Sequence, residues 1–528
     1  MTDGRPRRRR LAVRSWAAGL VLWPALASAQ STDMRLIEVI KHAGSESAES
    51  AVTELLQAGA DVNAAEPDGT TALHWAIQHD DQDVAQALIA AGAAVDTANR
   101  YGITPLALAA TNGSAPMVNA LLKAGAAPDV ASPGGDTPLM LAARTGRVDV
   151  VGLLLAAGAD VDATEQWKGQ NALMWAAAEG HAEVITALAA AGSSVETHAW
   201  SNVSPLMFAV REGHADAVQA LLAAGADVNA PGDGDTSPLG FAMINAHYEL
   251  AAMLLRAGAD PNADDPRGSF LHALAWMRRP GSGRPPIPTG TLDSLDLARA
   301  LLDAGADTER QVQWNEIRFQ VDLGVVKPPP AISTGRDFLS FVGATPFYLA
   351  AKHADVELMR LLVEYGANPL TPTDQGITPL MAAAGVGFWD GESPGPVNGT
   401  PETVRLEAVR LAVELGNDIH ATTDFGPTPL EGDGRTLLLR HPPNLGTFDP
   451  LRDRGDMRWS GSTALHGAAM MGSPLVVQYL LDQGADINAQ TTLGWTPLMV
   501  AEGVFVANTE KAWPATVELL RERGGRSN

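Results

Sequence analysis

The chain has 528 residues, 46% of them hydrophobic but only 5% aromatic, with 61 acidic against 37 basic side chains and no cysteine. Its apolar content therefore comes largely from Ala, Leu and Val, which points to helices, and the lack of thiols excludes disulfides, Cys-ligated zinc, iron-sulfur clusters and thiol nucleophiles together. The formal charge of -24 argues against a nucleic-acid groove, because phosphate binding needs a positive field over the contact surface.

Residues 1–29 read as a cleaved signal peptide. "RPRRRRLAVRS" is a basic n-region, "WAAGLVLWPALA" is an apolar stretch short of a bilayer span, and Ala27-Ser28-Ala29 fits the small-x-small cleavage rule. An uncleaved anchor or a misassigned start codon is the competing reading. Arg8-Arg9 ahead of Leu11-Ala12 faintly suggests a twin-arginine route, with ordinary secretion as the default. Cleavage removes six basic residues and one acidic residue, leaving 31 against 60 and a formal charge of -29. No later stretch is long and apolar enough to be a transmembrane helix.

From residue 69 onward the chain repeats itself. "GTTALHWA" is followed by "GITPLALAA", "GDTPLMLAA", "GQNALMWAA", "NVSPLMFAV" and "DTSPLGFAM", with the third residue of each at Thr71, Thr104, Thr137, Asn171, Ser204 and Ser237, so the spacings are 33, 33, 34, 33 and 33. An "AGADVNA"-like phrase recurs at Gly59, Gly92, Gly125, Gly158, Gly225, Gly258, Gly305, Gly366 and Gly484. Thr, Ser or Asn at the third position caps a helix through its side-chain oxygen. Proline in the next place, as at Pro105, Pro138, Pro346, Pro379 and Pro497, suits a first helical turn that needs no N–H. The leucines that follow and their Ala pairs supply an apolar face. A second helix such as "VDVVGLLLAA" (148–157) ends at Gly158 as a left-handed cap. The predicted unit is turn, helix, helix and extended return.

This pattern resembles the ankyrin repeat, whose "D-x-x-G-x-T-P-L-H-x-A-A" and "G-A-D-V-N-A" phrases stand here nearly verbatim over roughly residues 33–526. "GATPFYLAAK", "DVELMRLL" and "GWTPL..AEG" also resemble a set of secreted bacterial ankyrin proteins. The resemblance implies an all-α solenoid of about 12 helix-turn-helix repeats with hairpin tips, interrupted by three loop insertions. Departures are Asn171, Ser204, Ser237 and Phe270 at the capping position, and Asn202 and Asp235 at the turn glycine. His74-Trp75, which alone could pass for a fragment of an active site, falls at the family's His position, where imidazole bridges backbone groups of adjoining turns. Ala107, Met140, Met174, Met207 and His466 replace His74 in other copies, and Leu108, Leu141, Trp175 and Phe208 replace Trp75. A catalytic group does not tolerate such exchange, so the pair reads as architecture.

The predicted organisation is a signal peptide (1–29), an N-terminal repeat block (30–310) with a cap as its first unit, a linker or insertion (311–339), and a C-terminal block (340–526). Insertions are expected at 278–294, 385–403 and 426–455. Phe270 to Gly305 spans 35 residues where 21 is ordinary, and Thr378 to Gly416 spans 38. Arg278, Arg279 and Arg284 stand out in an acidic chain and lean the first insertion towards function. There is no H-E-x-x-H, nucleophile elbow or Walker loop, and "GDGD" (232–235) lacks the spacing and terminal Glu of a calcium loop. No catalytic, cofactor or metal residue is assigned, and no cofactor is expected.

The variable places around the turn glycine hold Tyr101, Trp167, Trp200, Phe341, Phe425, Trp459 and Trp495, an unusual share for a chain so poor in aromatics. First-helix ends add Gln78, Thr111, Arg144, Glu179 and Arg211. Exposed aromatics are typical interface anchors. The competing reading is that the tip aromatics pack against neighbouring hairpins. The expectation is a non-enzymatic, monomeric, periplasmic or secreted scaffold that binds another protein through Tyr101, Trp167, Trp200, Arg144, Arg211, Phe341, Trp459 and Trp495. A glycan-binding protein and an enzyme with its site in the insertions are the alternatives.

Overall fold

A computed structural model describes residues 34–42, 45–232, 236–263, 269–278, 290–312, 343–386, 401–424, 460–503 and 512–527. The expected signal peptide, most of each insertion, and Arg279, Arg284, Phe341, Phe425 and Trp459 lie outside the described residues.

Twenty-four helices, in twelve antiparallel-style pairs, make up the described residues. The first six pairs are α1 (Arg35–His42) with α2 (Ser45–Gln57), α3 (Ala72–Gln78) with α4 (Gln82–Ala90), α5 (Pro105–Asn112) with α6 (Ala115–Lys123), α7 (Pro138–Thr145) with α8 (Val148–Ala156), α9 (Ala172–Glu179) with α10 (Ala182–Ala190), and α11 (Pro205–Glu212) with α12 (Ala215–Ala223). The second six are α13 (Pro238–Ile244) with α14 (Tyr248–Arg256), α15 (Phe270–Met277) with α16 (Ser294–Asp303), α17 (Pro346–Lys352) with α18 (Val356–Glu364), α19 (Pro379–Ala384) with α20 (Glu402–Glu414), α21 (Ala464–Met470) with α22 (Pro474–Asp482), and α23 (Pro497–Ala501) with α24 (Pro514–Glu522). First helices stack on first helices from α1 to α13 and again from α15 through α17, α19 and α21 to α23, while second helices form a parallel row behind them. None of these helices is long and apolar enough to cross a membrane.

The repeat phrases act as their residue types require. Thr71, Thr104, Thr137 and Thr345 accept the N–H three residues on, and Asn171, Ser204 and Ser237 do the same, so the departures from Thr keep the cap. Asn202 takes the left-handed conformation (φ +52) that Gly69, Gly102 and Gly135 take in the other tips. The leucines at 73, 106, 139, 173, 206, 239, 271, 380, 465 and 498 are at most 2% exposed, and Ala76, Ala109, Ala142 and Ala176 are fully buried, which lets neighbouring first helices approach closely. One expectation is corrected here. The cap of α15 is Ser269, whose Oγ accepts the His272 N–H at 3.3 Å, so Phe270 is the first helical residue and the interval to Gly305 is one residue longer than counted from Phe270.

Adjacent repeats are joined by two sets of bonds beyond apolar packing. In the turn after most second helices, the Asp, Asn or Glu of the "ADVNA"-like phrase accepts a backbone N–H of the next repeat. Asn63 takes Ala94 (2.8 Å), Asp96 takes Ala127 (3.0 Å), Asp129 takes Asp160 (2.9 Å) and Asn229 takes Asp260 (2.8 Å). At the tips, one hairpin's backbone bonds the next: Arg100 N–H to Asp68, Gln166 N–H to Gly134 and Trp200 N–H to Lys168. The stack continues across 313–342, because the Val312 N–H donates to the Ala344 carbonyl while the Val312 carbonyl accepts the Gly343 N–H, α15 packs on α17, and α16 packs on α18. Likewise Thr423 binds both Gly461 and Ser462, closing the chain around 425–459.

Candidate functional site

Three histidines serve as inter-repeat struts. The Thr71 N–H donates to His74 Nδ1 (3.2 Å), which places the ring proton on Nε2, and Nε2 reaches the Ile103 carbonyl at 3.0 Å. His466 repeats this with the Thr463 N–H and the Trp495 carbonyl, and His272 does so with Ser269 Oγ and the Ala344 carbonyl. Burial pushes all three imidazoles below the usual histidine range, His272 and His466 to about 4. They stay neutral near pH 7 and hold backbone to backbone. Trp75 is half-buried, its Nε1 donating to Glu66 Oε2 (2.7 Å) while Lys41 lies over its ring. The His74-Trp75 pair is structural.

A second histidine series escaped the sequence reading. His181, His214 and His247 bond through Nε2 to the Arg144, Ala178 and Arg211 carbonyls of the preceding repeat, at 3.0 to 3.1 Å. Their 33-residue spacing was the available signal. Each ring lies where a Cβ would stand on Gly146, Gly180 or Gly213, which the left-handed backbone also reserves for glycine. Arg278, read as a possible functional residue, is structural too: its guanidinium forks onto Asp355 (2.5 and 3.0 Å) and also reaches Ser294 and Glu357.

The tip aromatics separate into two kinds. Trp167, Trp200 and Tyr101 are 76%, 71% and 57% exposed. Trp495, one residue before its cap, is half-buried against the core and supplies the carbonyl that His466 binds. Trp167 and Trp200 both stand four residues before their caps, on consecutive hairpins. Each lies against a glycine of the hairpin before it: a Cβ on Gly134 would sit 2.8 Å from the Trp167 Nε1, and one on Gly169 would collide with the Trp200 ring. The indoles therefore lean on a neighbour, as the packing reading requires, and still present most of their surface to water.

Glu165 fixes the Trp167 hairpin from beneath. It is buried and accepts the N–H groups of Trp167 (2.5 Å), Lys168 (2.9 Å) and Gln170 (2.9 Å). Behind the tips, the inner face carries Trp175 and Phe208. Arg144 lies over the Trp175 ring at 5.3 Å and Arg211 over the Phe208 ring at 5.1 Å, while the Arg211 Nε also donates to Glu212 (2.8 Å). The structure thus places Arg144 on α7, Trp167 and Trp200 on the next two tips and Arg211 on α11, within three successive repeats, with Tyr101 two repeats before Trp167.

Residues 40–132, 117–199 and 193–265 match the family described as ankyrin repeats (3 copies), and residues 342–374 and 460–492 match the single ankyrin repeat. Together these cover more than half of the chain. Among curated proteins, the chain is similar to ankyrin repeat and SOCS box protein 3 of Bos taurus, 33% identical over 162 residues, which are 30% of this chain and 27% of that protein. It is also similar to human ankyrin repeat and MYND domain-containing protein 1, 26% identical over 261 residues, 43% of this chain and 26% of that protein. The chain spans about a quarter of the length of these two relatives. A crystal structure of the human ASB11 ankyrin repeat domain matches with 25% identity and a TM-score of 0.38, covering 43% of this chain and 98% of that one. Ankyrin repeats are generally protein–protein interaction modules. With its family matches, its twelve stacked helix pairs and its histidine struts, the chain belongs to the ankyrin-repeat family.

Proposed function

We propose that the chain is an exported, non-enzymatic scaffold that captures another protein on the hairpin tips and inner helix face of repeats four to six. The observation that carries this reading is the pair of indoles at Trp167 and Trp200, exposed on consecutive hairpins and each seated on a glycine. Burying an exposed Trp side chain at an interface removes roughly 150–250 Å² of surface from water, and such residues dominate binding energies. A solenoid has the length to hold a protein: at roughly 8–10 Å per repeat, twelve pairs extend on the order of 100 Å. Export rests on residues 1–29, and the destination is the periplasm or the cell exterior.

Two measurements test these claims. Crosslinked capture from the native host, comparing the wild type with a folded Trp167→Ala, Trp200→Ala double variant, should lose one discrete protein. If the captured set is unchanged, the tips are packing surfaces and the reading fails. If only saccharides are retained, the indoles serve a glycan, since stacked aromatics suit sugar rings as well. Mass spectrometry of the mature protein should find its start near residue 30, and a chain beginning at Met1 overturns export by a cleaved leader.

A further inference from the structure

The hairpins that carry Trp167 and Trp200 are closed in different ways. In three other tips, a polar side chain five places before the helix cap accepts N–H groups of its own hairpin. Asn99 takes those of Tyr101 (3.0 Å) and Ile103 (3.1 Å), Ser132 takes those of Gly134 (3.1 Å) and Asp136 (3.2 Å), and Thr491 takes those of Leu493 (3.3 Å) and Trp495 (3.2 Å). The Trp200 hairpin has Ala199 at that place, with no side-chain acceptor, and it turns on Asn202 in a left-handed conformation that costs an ordinary residue energy. Its side chains do not close it, so its order comes from a neighbour.

That neighbour is the hairpin before it. This hairpin is one residue longer, which accounts for the 34-residue spacing from Thr137 to Asn171, and it has Glu165 at the anchoring place. A carboxylate offers two oxygens where Ser or Thr offers one, and the buried Glu165 uses both: Oε2 takes the Trp167 N–H (2.5 Å), and Oε1 takes those of Lys168 (2.9 Å) and Gln170 (2.9 Å). The last two bonds bracket Gly169, the left-handed glycine against which the Trp200 ring lies. The Lys168 carbonyl in turn accepts the Trp200 N–H at 2.8 Å. One side chain therefore holds the backbone of the first indole and both the shelf and the backbone acceptor of the second. Ser132 does only part of this, since it holds Gly134, the shelf of Trp167, and bonds neither tryptophan.

From this arrangement we infer that Glu165 is the positioning residue of the tip site, setting Trp167 and Trp200 in one shared arrangement so that a partner meets two pre-ordered rings. This rests on the tip-binding reading above and names the residue on which that recognition depends. Rings ordered before binding spare the complex the entropy of ordering them, so loosening both weakens capture even though Glu165 is buried and meets no partner. Ordinary hairpin closure would bear on Trp167 alone. An effect on Trp200, which belongs to the next hairpin, marks the positioning role.

The test has two readouts on the full chain. In fluorine NMR spectra of the fluorotryptophan-labelled protein, with two resonances assigned from Trp167→Phe and Trp200→Phe, Glu165→Ala should displace or broaden both and leave those of Trp75 and Trp495 in place. Recognition is read with random-library peptides of about twelve residues, selected on the wild type after depletion on Trp167→Ala, Trp200→Ala. Their affinity should fall about tenfold in Glu165→Ala and about threefold in Glu165→Gln, which keeps one acceptor oxygen. Should the alanine variant fail to fold, the glutamine variant carries both readouts. A Trp200 resonance unmoved by the substitutions reduces Glu165 to closing its own hairpin and overturns the inference. Displaced resonances with unchanged peptide affinity overturn its part in recognition and leave the tip site standing. A library without tryptophan-dependent peptides overturns the tip reading, and the part of Glu165 in recognition with it.

Discussion

The His272 Nε2 lies 2.9 Å from the carbonyl oxygen of Ala344, a residue 72 positions further along the chain. The same contact in an uninterrupted repeat, His74 to Ile103, spans 29. One imidazole thus carries the ordinary inter-repeat bond across the interruption at 313–342, its Nε2 proton donated to the carbonyl.

Burial of these rings makes stability depend on pH. Burial lowers the His272 and His466 imidazoles to about 4, against the bond to Ala344 or Trp495, which favours the protonated ring. At His272, Arg310 adds to the lowering and Asp307 opposes it. Both folded values lie below the roughly 6.5 of an unfolded histidine, so the unfolded chain binds these protons first. Their contribution is fully present above about pH 6.5, declines as pH falls towards 4, and is lost below that. Each is worth about 3 kcal/mol at most. Urea midpoints at several pH values should fall through this window, and the double variant His272→Gln, His466→Gln should fall distinctly less. Equal slopes would assign the pH effect to carboxylates.

Asn171 is fully buried, and its Oδ1 caps α9 through the Met174 N–H at 3.0 Å, but its amide Nδ2 has no hydrogen-bond partner among the described residues. Thr at the equivalent place in α3, α5 and α7 supplies the acceptor without the surplus donors. Its extended backbone (φ -109, ψ 179) accommodates a β-branched side chain. Asn171→Thr is expected to raise stability by about 1 kcal/mol, the lower end of the cost of a buried unpaired donor. Thermal and urea unfolding check this, and a lowered midpoint would mean the amide is satisfied in solution.

Arg278 and Asp355 hold the end of α15 to the start of α18, where Asp355 also caps the Leu358 N–H at 3.1 Å. With side chains only 14% and 8% exposed, removing one partner leaves the other charge in a dry site. Arg278→Ala should cost about 3 kcal/mol, and Arg278→Lys should recover little, because an ammonium cannot make the forked pair. A double-mutant cycle with Asp355→Asn measures the coupling. Additive effects would show that the fork contributes nothing beyond its separate contacts.

Much of this architecture is legible in the sequence because an ankyrin unit satisfies itself locally. Caps, leucines and the glycine after each second helix fall at fixed offsets, so twelve pairs and the place of His74 follow from period alone. What lies one repeat away is harder to read. Counting the cap of α15 at Phe270 instead of Ser269 concealed that His272 is the partner of His74 and His466. The bond from Asn63 to Ala94 joins residues 31 apart, and nothing near Asn63 announces it. The exposure of Trp167 was likewise undecidable from its own hairpin, because it depends on Gly134, a residue of the previous one. Arg278 drew attention as a cation in an acidic chain, while its partner Asp355 stands in the next repeat pair beyond the interruption.

Gly134 offers a way to move an indole without removing it. A Cβ there would approach the Trp167 Nε1 to 2.8 Å, too near for contact, yet the obstacle is the end of a side chain and can swing away. The Gly134 carbonyl keeps its bond from the Gln166 N–H at 2.8 Å, and the residue does not take the left-handed backbone of Gly169. Alanine at Gly169 would add a conformational cost of about 1 kcal/mol to any effect on Trp200. Gly134→Ala should therefore leave stability within about 0.5 kcal/mol of the wild type. Affinity for the captured protein should fall roughly threefold to tenfold, since a loosened ring must be ordered again on binding. If Trp167→Ala abolishes binding while Gly134→Ala leaves it untouched, the partner alone positions the indole and the glycine shelf has no part in recognition.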